Sequence, residues 1–305
     1  MLYWILGSAF AAGIVILAVV SIEWTSRWID REFRHARRLR MTGGVLGSAL
    51  VLSAFLVVVT TGQPREMLLG LMFTVGVLLI GLLIVTSNLR RTGVVTVRPR
   101  RILAVGAHPD DLELSCGATL AKLTDEGHEV RTIIMCHGAS GGHEDVRETE
   151  ARHGASYLRA TTATVLDLRD TELQRHNGTM VTEIERIITA FRPDVVLTHS
   201  AHDHHQDHAA VHLATVRAAR RCPSILCYES PSVTRQFSPG FFVDVSSYID
   251  IKVHAIGLHR DQRGKPYMTG ERARAMAVFR GDQSRMPLAE GFEVVRLAGS
   301  SLGEF

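Results

Sequence analysis

Two short stretches of this 305-residue chain concentrate side chains able to do chemistry. The first, Ala107-His108-Pro109-Asp110-Asp111-Leu112-Glu113, puts one imidazole and two carboxylates within four residues, 108–111. The second runs from His199 to His212 and holds six histidines, His199, His202, His204, His205, His208 and His212, with Asp203 and Asp207 among them. One imidazole with two carboxylates suits a hard or borderline metal ion, leaving a carboxylate spare for proton transfer. An Asp-Asp pair after a strand also serves as a helix N-cap, and the first stretch alone leaves both readings open. A second His/Asp stretch in an equivalent place favours the metal. Because a catalytic zinc takes three protein ligands and keeps a position open, not all six histidines can be ligands. His208 and His212 stand four apart and would share a helix face, but spacing alone does not choose among them.

Each stretch follows a short apolar run and precedes a helical one. Residues 102–106 and 195–198 read as buried strands, and 115–126 and 207–220 as helices. Pro109 stiffens the first turn and removes a backbone donor. Further strands are expected at 130–136, 164–167, 225–228 and 241–245, and further helices at 146–159, 180–191, 248–261 and 268–282; after that the pattern fades. Such alternation predicts an α/β domain, a Rossmann-like, mostly parallel sheet with helices on both faces. Both chemical stretches then lie at its C-terminal edge, where open sheets of this kind bind ligands. The glycine-rich segment 138–142 also follows a strand and reads as a mobile loop at the site mouth, with a phosphate cradle as the alternative.

Hydrophobic residues make up 46% of the chain, and the excess is concentrated at its start. Residues 1–22, 41–64 and 67–89 contain no charged side chain, and each is long enough to cross a hydrocarbon core roughly 30 Å thick. Three transmembrane helices are expected at about 2–22, 42–62 and 67–88, forming a membrane module over 1–89. The first span lacks the basic n-region and small-residue cleavage site of a signal peptide, so it reads as a retained anchor. Trp4, Trp24 and Trp28 fall where aromatic belts sit. A basic linker over 90–101 leads to a catalytic domain over 102–305.

Charge orients the module. Six arginines lie between the first two spans and five between the third span and Arg101, against Arg65 alone between the second and third. The positive-inside rule then makes the first loop and everything after the third span cytoplasmic, a multi-pass cell-membrane protein with its catalytic domain inside. The remainder beyond Arg101 is acidic on balance and no aromatic stripe accompanies the basic belt, so no nucleic-acid partner is expected. The four cysteines form neither a CxxC pair nor a dense framework, which fits a reducing compartment.

With AHPDDLE upstream and His205-Gln-Asp-His208 downstream, the chain resembles the PIG-L/LmbE family of N-acetylglucosaminyl deacetylases, zinc hydrolases of Rossmann-like fold. The resemblance spans residues 102–297 and takes in Arg147-x-x-Glu150, Asp170, Asp244, His259-x-x-Gln262 and Ala289-Glu-Gly-Phe292; the membrane module lies outside it. By position it implies Zn2+ ligands at His108, Asp111 and His208, and a general base at Asp110. His205 matches the residue that stabilises the oxyanion or protonates the leaving amine, with Asp207 or another carboxylate orienting it. Arg147 and Asp170 match residues that hold sugar hydroxyls. The expected function is a membrane-anchored, zinc-dependent deacetylase of an N-acetylglucosaminyl conjugate, a glycolipid among the candidates. The alternatives are a related amidase or deacetylase of a soluble thiol-sugar or chitooligosaccharide, and a membrane-bound zinc-binding module without turnover.

Overall fold

The computed structural model describes residues 2–91 and 98–299. Its contacts divide the chain into two compact units, Met1–Thr92 and Gly93–Phe305. Half of the expected basic linker, residues 92–97, lies outside the described residues.

The first unit is helical: α1 (Leu2–Ser21), α2 (Glu23–Glu32), α3 (Ala36–Val59) and α4 (Gln63–Leu89). α1, α3 and α4 are long and apolar enough to cross a membrane. α3 begins well before the apolar run and carries Arg37, Arg38 and Arg40 in its first turns, since arginine is a good helix former. Glycines let α1 and α3 approach closely: a Cβ on Gly13 would stand 2.5 Å from a Val51 methyl and 3.0 Å from the Gly47 carbonyl. The segment between the first two apolar helices, expected as an arginine-bearing loop, contains α2. The Arg91 guanidinium donates to the carbonyls of Asp30 and Arg31, placing a cation at the C-terminal end of α2.

The second unit runs β1 (Arg101–Gly106), α5 (Asp111–Asp125), β2 (Glu129–Ile134), α6 (Glu144–Tyr157), β3 (Thr162–Val165), α7 (Asn177–Phe191), β4 (Val195–Thr198), α8 (Gln206–Ala218), β5 (Ser224–Tyr228), β6 (Phe241–Asp244), α9 (Ile249–Leu258), α10 (Gly270–Ser284) and β7 (Ala289–Arg296). The sheet order is β3-β2-β1-β4-β5-β7-β6. The first five strands are parallel; β7 pairs antiparallel with both β5 and β6. This is the α/β fold read from the sequence, with an antiparallel edge that the sequence pattern did not reveal.

Alternation along β1 accounts for the layers. Ile102 and Ala104 pack with Leu112, Leu120 and Leu123 of α5 and Ile251 and Ala255 of α9, while Leu103 and Val105 pack with Met180 and Ile184 of α7 and Val211 and Ala214 of α8. Every one of these side chains is nearly inaccessible, so the strand reads as a continuous apolar run. The strand order reverses between β1 and β4, and the crevice beyond their C-terminal ends receives the turns leading into α5 and α8.

α5 is interrupted at Cys116, whose backbone (φ −133°, ψ 19°) leaves helical geometry. The break frees backbone groups in mid-helix, and they find partners. Glu290 of β7 accepts from Thr119 N (2.8 Å) and Ala118 N (3.3 Å), and Lys252 Nζ donates to the Ser115 carbonyl (3.1 Å) while pairing with Glu290 (2.6 Å). The Ala289–Phe292 stretch of the sequence thus supplies the cap of a broken helix.

Candidate metal and catalytic site

All seven residues singled out in the sequence line one cavity of about 300 Å³ at that crevice: His108, Asp110, Asp111, Arg147, Asp170, His205 and His208. The turn after β1 is tight and strained. Asp110 has φ 120°, a conformation that L-residues seldom adopt. Its carboxylate makes no capping bond to α5, so the N-cap alternative does not describe it. The neighbouring Asp111 turns back instead, its Oδ2 accepting from His108 N (2.7 Å) and Ala107 N (3.0 Å).

Asp111 sits between two imidazoles. His108 Nδ1 is 3.4 Å from its Oδ2, and His208 Nε2 is 3.4 Å from its Oδ1. Donors bound to one tetrahedral zinc at the usual bond lengths stand about 3.3 Å apart, so this spacing suits a metal ion. The far side of each ring is held by carboxylate. His108 Nε2 lies 3.2 Å from both Asp170 Oδ1 and Asp207 Oδ2, and His208 Nδ1 lies 2.9 Å from Asp203 Oδ2. A carboxylate behind a histidine fixes the ring's tautomer and raises its basicity as a ligand. Donor chemistry and spacing thus fit the zinc that the resemblance implies. The expected trio of His108, Asp111 and His208 is nevertheless not among the sets whose ligand atoms, one from each residue, all converge, since its two short distances run to different oxygens of Asp111. His108 with His205 and His208, Asp111 with His199 and His208, and His108 with Cys136 and Asp170 each bring their ligand atoms within 4.8 Å of one another.

Electrostatics sharpen the picture. Burial opposes charge on His108 and His208, but bonds to surrounding carboxylates outweigh it, raising His108 well above the usual range and His208 to about 9. Burial likewise works against the Asp111 carboxylate, yet the charges of His208 and His199 hold its pKa well below normal. Asp110 moves the other way: burial, then the neighbouring Asp111 charge, raises its pKa despite His259 and Arg147 nearby. Two adjacent carboxylates therefore differ in proton affinity: for Asp111 the charges of His208 and His199 and hydrogen bonds to His108 and His199 outweigh burial, whereas for Asp110 burial and the Asp111 charge outweigh its cationic neighbours.

His205 caps α8 through its own ring, Nδ1 accepting from Asp207 N at 3.3 Å. Its proton then belongs on Nε2, and burial together with His208 and His108 lowers its pKa. This environment favours the neutral ring of His205. The Asp207 carboxylate does not orient it. That group accepts from Thr171 N (2.8 Å) and Leu173 N (3.0 Å) and faces His108.

Arg147 is 3% exposed on α6 and reaches into the site, donating to the Gly138 and Pro109 carbonyls and lying 3.4 Å from Asp110 Oδ2. The Gly138 segment is folded against it: a Cβ on Gly138 would overlap the guanidinium, and residues 139–141 form a single 3-10 turn. Asp170 accepts from Ser140 N (2.8 Å) with one oxygen and faces His108 with the other; burial opposes its charge, but His108 outweighs this and lowers its pKa to about 2.

Of the four remaining histidines in the second stretch, His199 is fully buried, its Nε2 3.1 Å from Asp111 Oδ2. His202 pairs with Glu293 (2.9 Å), His204 is exposed, and His212 bonds to the His199 carbonyl (2.9 Å). Sequence reasoning gave no role to Asp203, although it lies inside the His-rich stretch. It missed Tyr267, which lines the cavity from a loop before α10. Asp203 is recognisable only once Ser230 and Ser232, beyond β5, are seen donating to it.

Carboxylate-backed imidazoles around one aspartate, at the switch point of a largely parallel sheet, make up a candidate metal site in an α/β fold. The chain belongs to the PIG-L family: residues 103–219 match its model, described as GlcNAc-PI de-N-acetylase. The uncharacterized deacetylase YaiS of Escherichia coli K12 is 36% identical over 166 residues, covering 52% of this chain and 90% of that protein. The diacetylchitobiose deacetylase of Thermococcus kodakarensis is 28% identical over 228 residues, covering 64% and 83%. Among solved structures, the conserved protein TT1542 of Thermus thermophilus superposes with a TM-score of 0.57 at 27% identity, covering 64% of this chain and 94% of that one.

Proposed function

We propose that this protein is a zinc-dependent, membrane-anchored N-deacetylase that hydrolyses the acetamide of an N-acetylglucosaminyl conjugate. The observation that carries the reading is the division of labour between adjacent aspartates, Asp111 facing two carboxylate-backed histidines and Asp110 facing the same cavity with a raised pKa. The names of the relatives, a deacetylase and a diacetylchitobiose deacetylase, support the reaction and the sugar type.

A divalent ion held by His108, Asp111 and His208 would polarise the acetamide carbonyl and acidify water in the cavity. Asp110 is the proton acceptor for the attacking water, and its raised pKa makes it a stronger base than an ordinary carboxylate. Arg147, beside Asp110 and the Pro109 carbonyl, holds that turn in place. The His205 Nε2–H donates to the oxyanion that develops as the carbonyl is attacked. Asp110 then returns its proton to the nitrogen as the C–N bond breaks, leaving acetate and a free amine. Asp170 supports Ser140 and His108 and borders the space for sugar hydroxyls.

The three apolar helices would anchor the enzyme in the cell membrane, and the arginine distribution favours a cytoplasmic catalytic unit and a substrate in the inner leaflet. A soluble chitooligosaccharide is the second reading, favoured by the Thermococcus relative. The test incubates full-length, zinc-loaded protein in lipid nanodiscs with N-acetylglucosaminyl lipids and soluble glycosides and measures acetate. Release from at least one, abolished by a chelator, is expected; none from any would overturn the deacetylase. For topology, a Gln63→Cys variant should react with an impermeant thiol reagent in intact cells, and a C-terminal reporter should be active only inside.

A further inference from the structure

His259 stands out in the sequence with Gln262 three residues on, and the site as described gives it no task. We infer that His259 is a positioning residue for Asp110, a buried cation held by Glu113 beside the turn that carries the base. The inference rests on the deacetylase reading for what Asp110 does; the pairing itself rests on geometry and charge.

His259 caps the end of α9 and Glu113 lies in the first turn of α5, each 2% exposed. Leu114 N closes that turn onto the Asp110 carbonyl at 2.9 Å, so Glu113 and Asp110 belong to one helical turn. His259 Nε2 lies 3.5 Å from Glu113 Oε2, at the limit of hydrogen-bond reach, and neither ring nitrogen has another partner. Gly154 of α6 leaves the room for this carboxylate, since a Cβ there would overlap Glu113 Oε1. A buried carboxylate without a cation is costly, and the His259 ring is the cation beside this one.

The surrounding charges favour the imidazolium. Burial opposes it, but Glu113, then Asp110 and Glu150, outweigh burial and raise the pKa of His259. Glu150 of α6 is fixed close by, accepting from Arg260 N at 2.8 Å and Asp261 N at 3.2 Å. Arg147, also on α6, is the opposing cation, tied to the Gly138 and Pro109 carbonyls. The influence is mutual. Burial and the Asp111 charge raise the pKa of Asp110, and among the cations that resist this rise His259 comes ahead of Arg147, although Arg147 lies 3.4 Å from its Oδ2. Among the described residues, Asp110 lines the cavity whereas His259 and Glu113 do not. His259 therefore acts on substrate through Asp110, its charge fixing where that carboxylate points.

The test uses full-length, zinc-loaded protein in nanodiscs with diacetylchitobiose and an N-acetylglucosaminyl lipid. His259→Gln and Glu113→Gln should each lower kcat by roughly tenfold to a hundredfold, with KM and zinc content near the parent's. In the Asp110→Asn background, His259→Gln should cost less than about twofold more, because a residue that acts through Asp110 has nothing left to act on. An equal fold loss in both backgrounds would make His259 a structural residue and overturn the inference. A second readout needs no turnover: with isotope-labelled histidine, the ring signal missing from His259→Gln reports the state of His259. It should be an imidazolium at about neutral pH, and its titration should fall by about one unit in Asp110→Asn and in Glu113→Gln. A neutral ring, or a titration that Asp110→Asn leaves in place, also overturns the inference. Should His259→Gln not fold, Glu113→Gln serves for the kinetic comparison and His259→Asn for the signal. If neither substrate releases acetate but the titration responds to Asp110→Asn, the pairing stands and the deacetylase reading falls.

Discussion

The turn after β1 and the turn after β4 leave the same edge of one sheet, yet opposite means hold them. In the first, restraint is local. Asp110 sits at φ 120°, Pro109 limits the turn, and Asp111 folds back onto the amides of Ala107 and His108. In the second, restraint is imported. Asp203 orients His208 and is itself held by the Ser230 and Ser232 hydroxyls from beyond β5, while Glu293 of β7 takes Ser200 and His202. A turn held by its own backbone should be sensitive to conformation, and one held by distant side chains should be sensitive to their removal. The two meet at Asp111, where His208 and His108 face the same carboxylate.

The largest effect should come from breaking that junction. His108→Ala, Asp111→Ala and His208→Ala should each abolish stoichiometric zinc, measured by elemental analysis of purified protein; all three retaining the metal would show the ligand set to be elsewhere. Asp110→Asn should come next, lowering acetate release by ~10²–10⁴-fold while zinc content and substrate affinity stay near the parent's. Loss of zinc in that variant would make Asp110 a ligand and leave the base to another residue. Asp203→Asn tests the imported restraint. Weakening the support of His208 should cost ~10–100-fold in zinc affinity without removing the site, read by competition with a chelator; no change would mean His208 is oriented by packing alone.

The smallest effect concerns the local restraint. Asp110→Gly relieves a backbone conformation that costs an L-residue of order 1–3 kcal/mol. With zinc absent from both samples, Asp110→Gly should unfold at a higher temperature than Asp110→Ala by an amount equivalent to about 1 kcal/mol, and both should be inactive when zinc is restored. Equal stabilities would show that φ 120° is tolerated without strain.

Burial on both faces leaves parallel strands as unbroken apolar runs, and β1, β4 and β5 were legible for that reason. β7 was not, because its outer half, Glu293 to Arg296, alternates weakly and is partly exposed, and because its pairing with β5 and β6 is antiparallel. The three apolar helices were legible from length and composition, whereas α2 was hidden in a segment rich in charge and tryptophan. Chemistry that is local in the chain, the His108–Asp111 turn and the His205–His208 pair, was visible as residue types at short spacing.

What the sequence determined by itself was therefore which side chains are available and which strand ends carry them, since periodicity and composition are properties of neighbouring residues. Tertiary structure alone decided which carboxylate stands behind which histidine. Asp207 serves His108, 99 residues away, and not His205. It also decided that Glu290, far along the chain in β7, caps the helix broken at Cys116. Pairings of that kind follow from strand order and from the need of each buried polar group to find a partner, and neither is written at any single position in the chain.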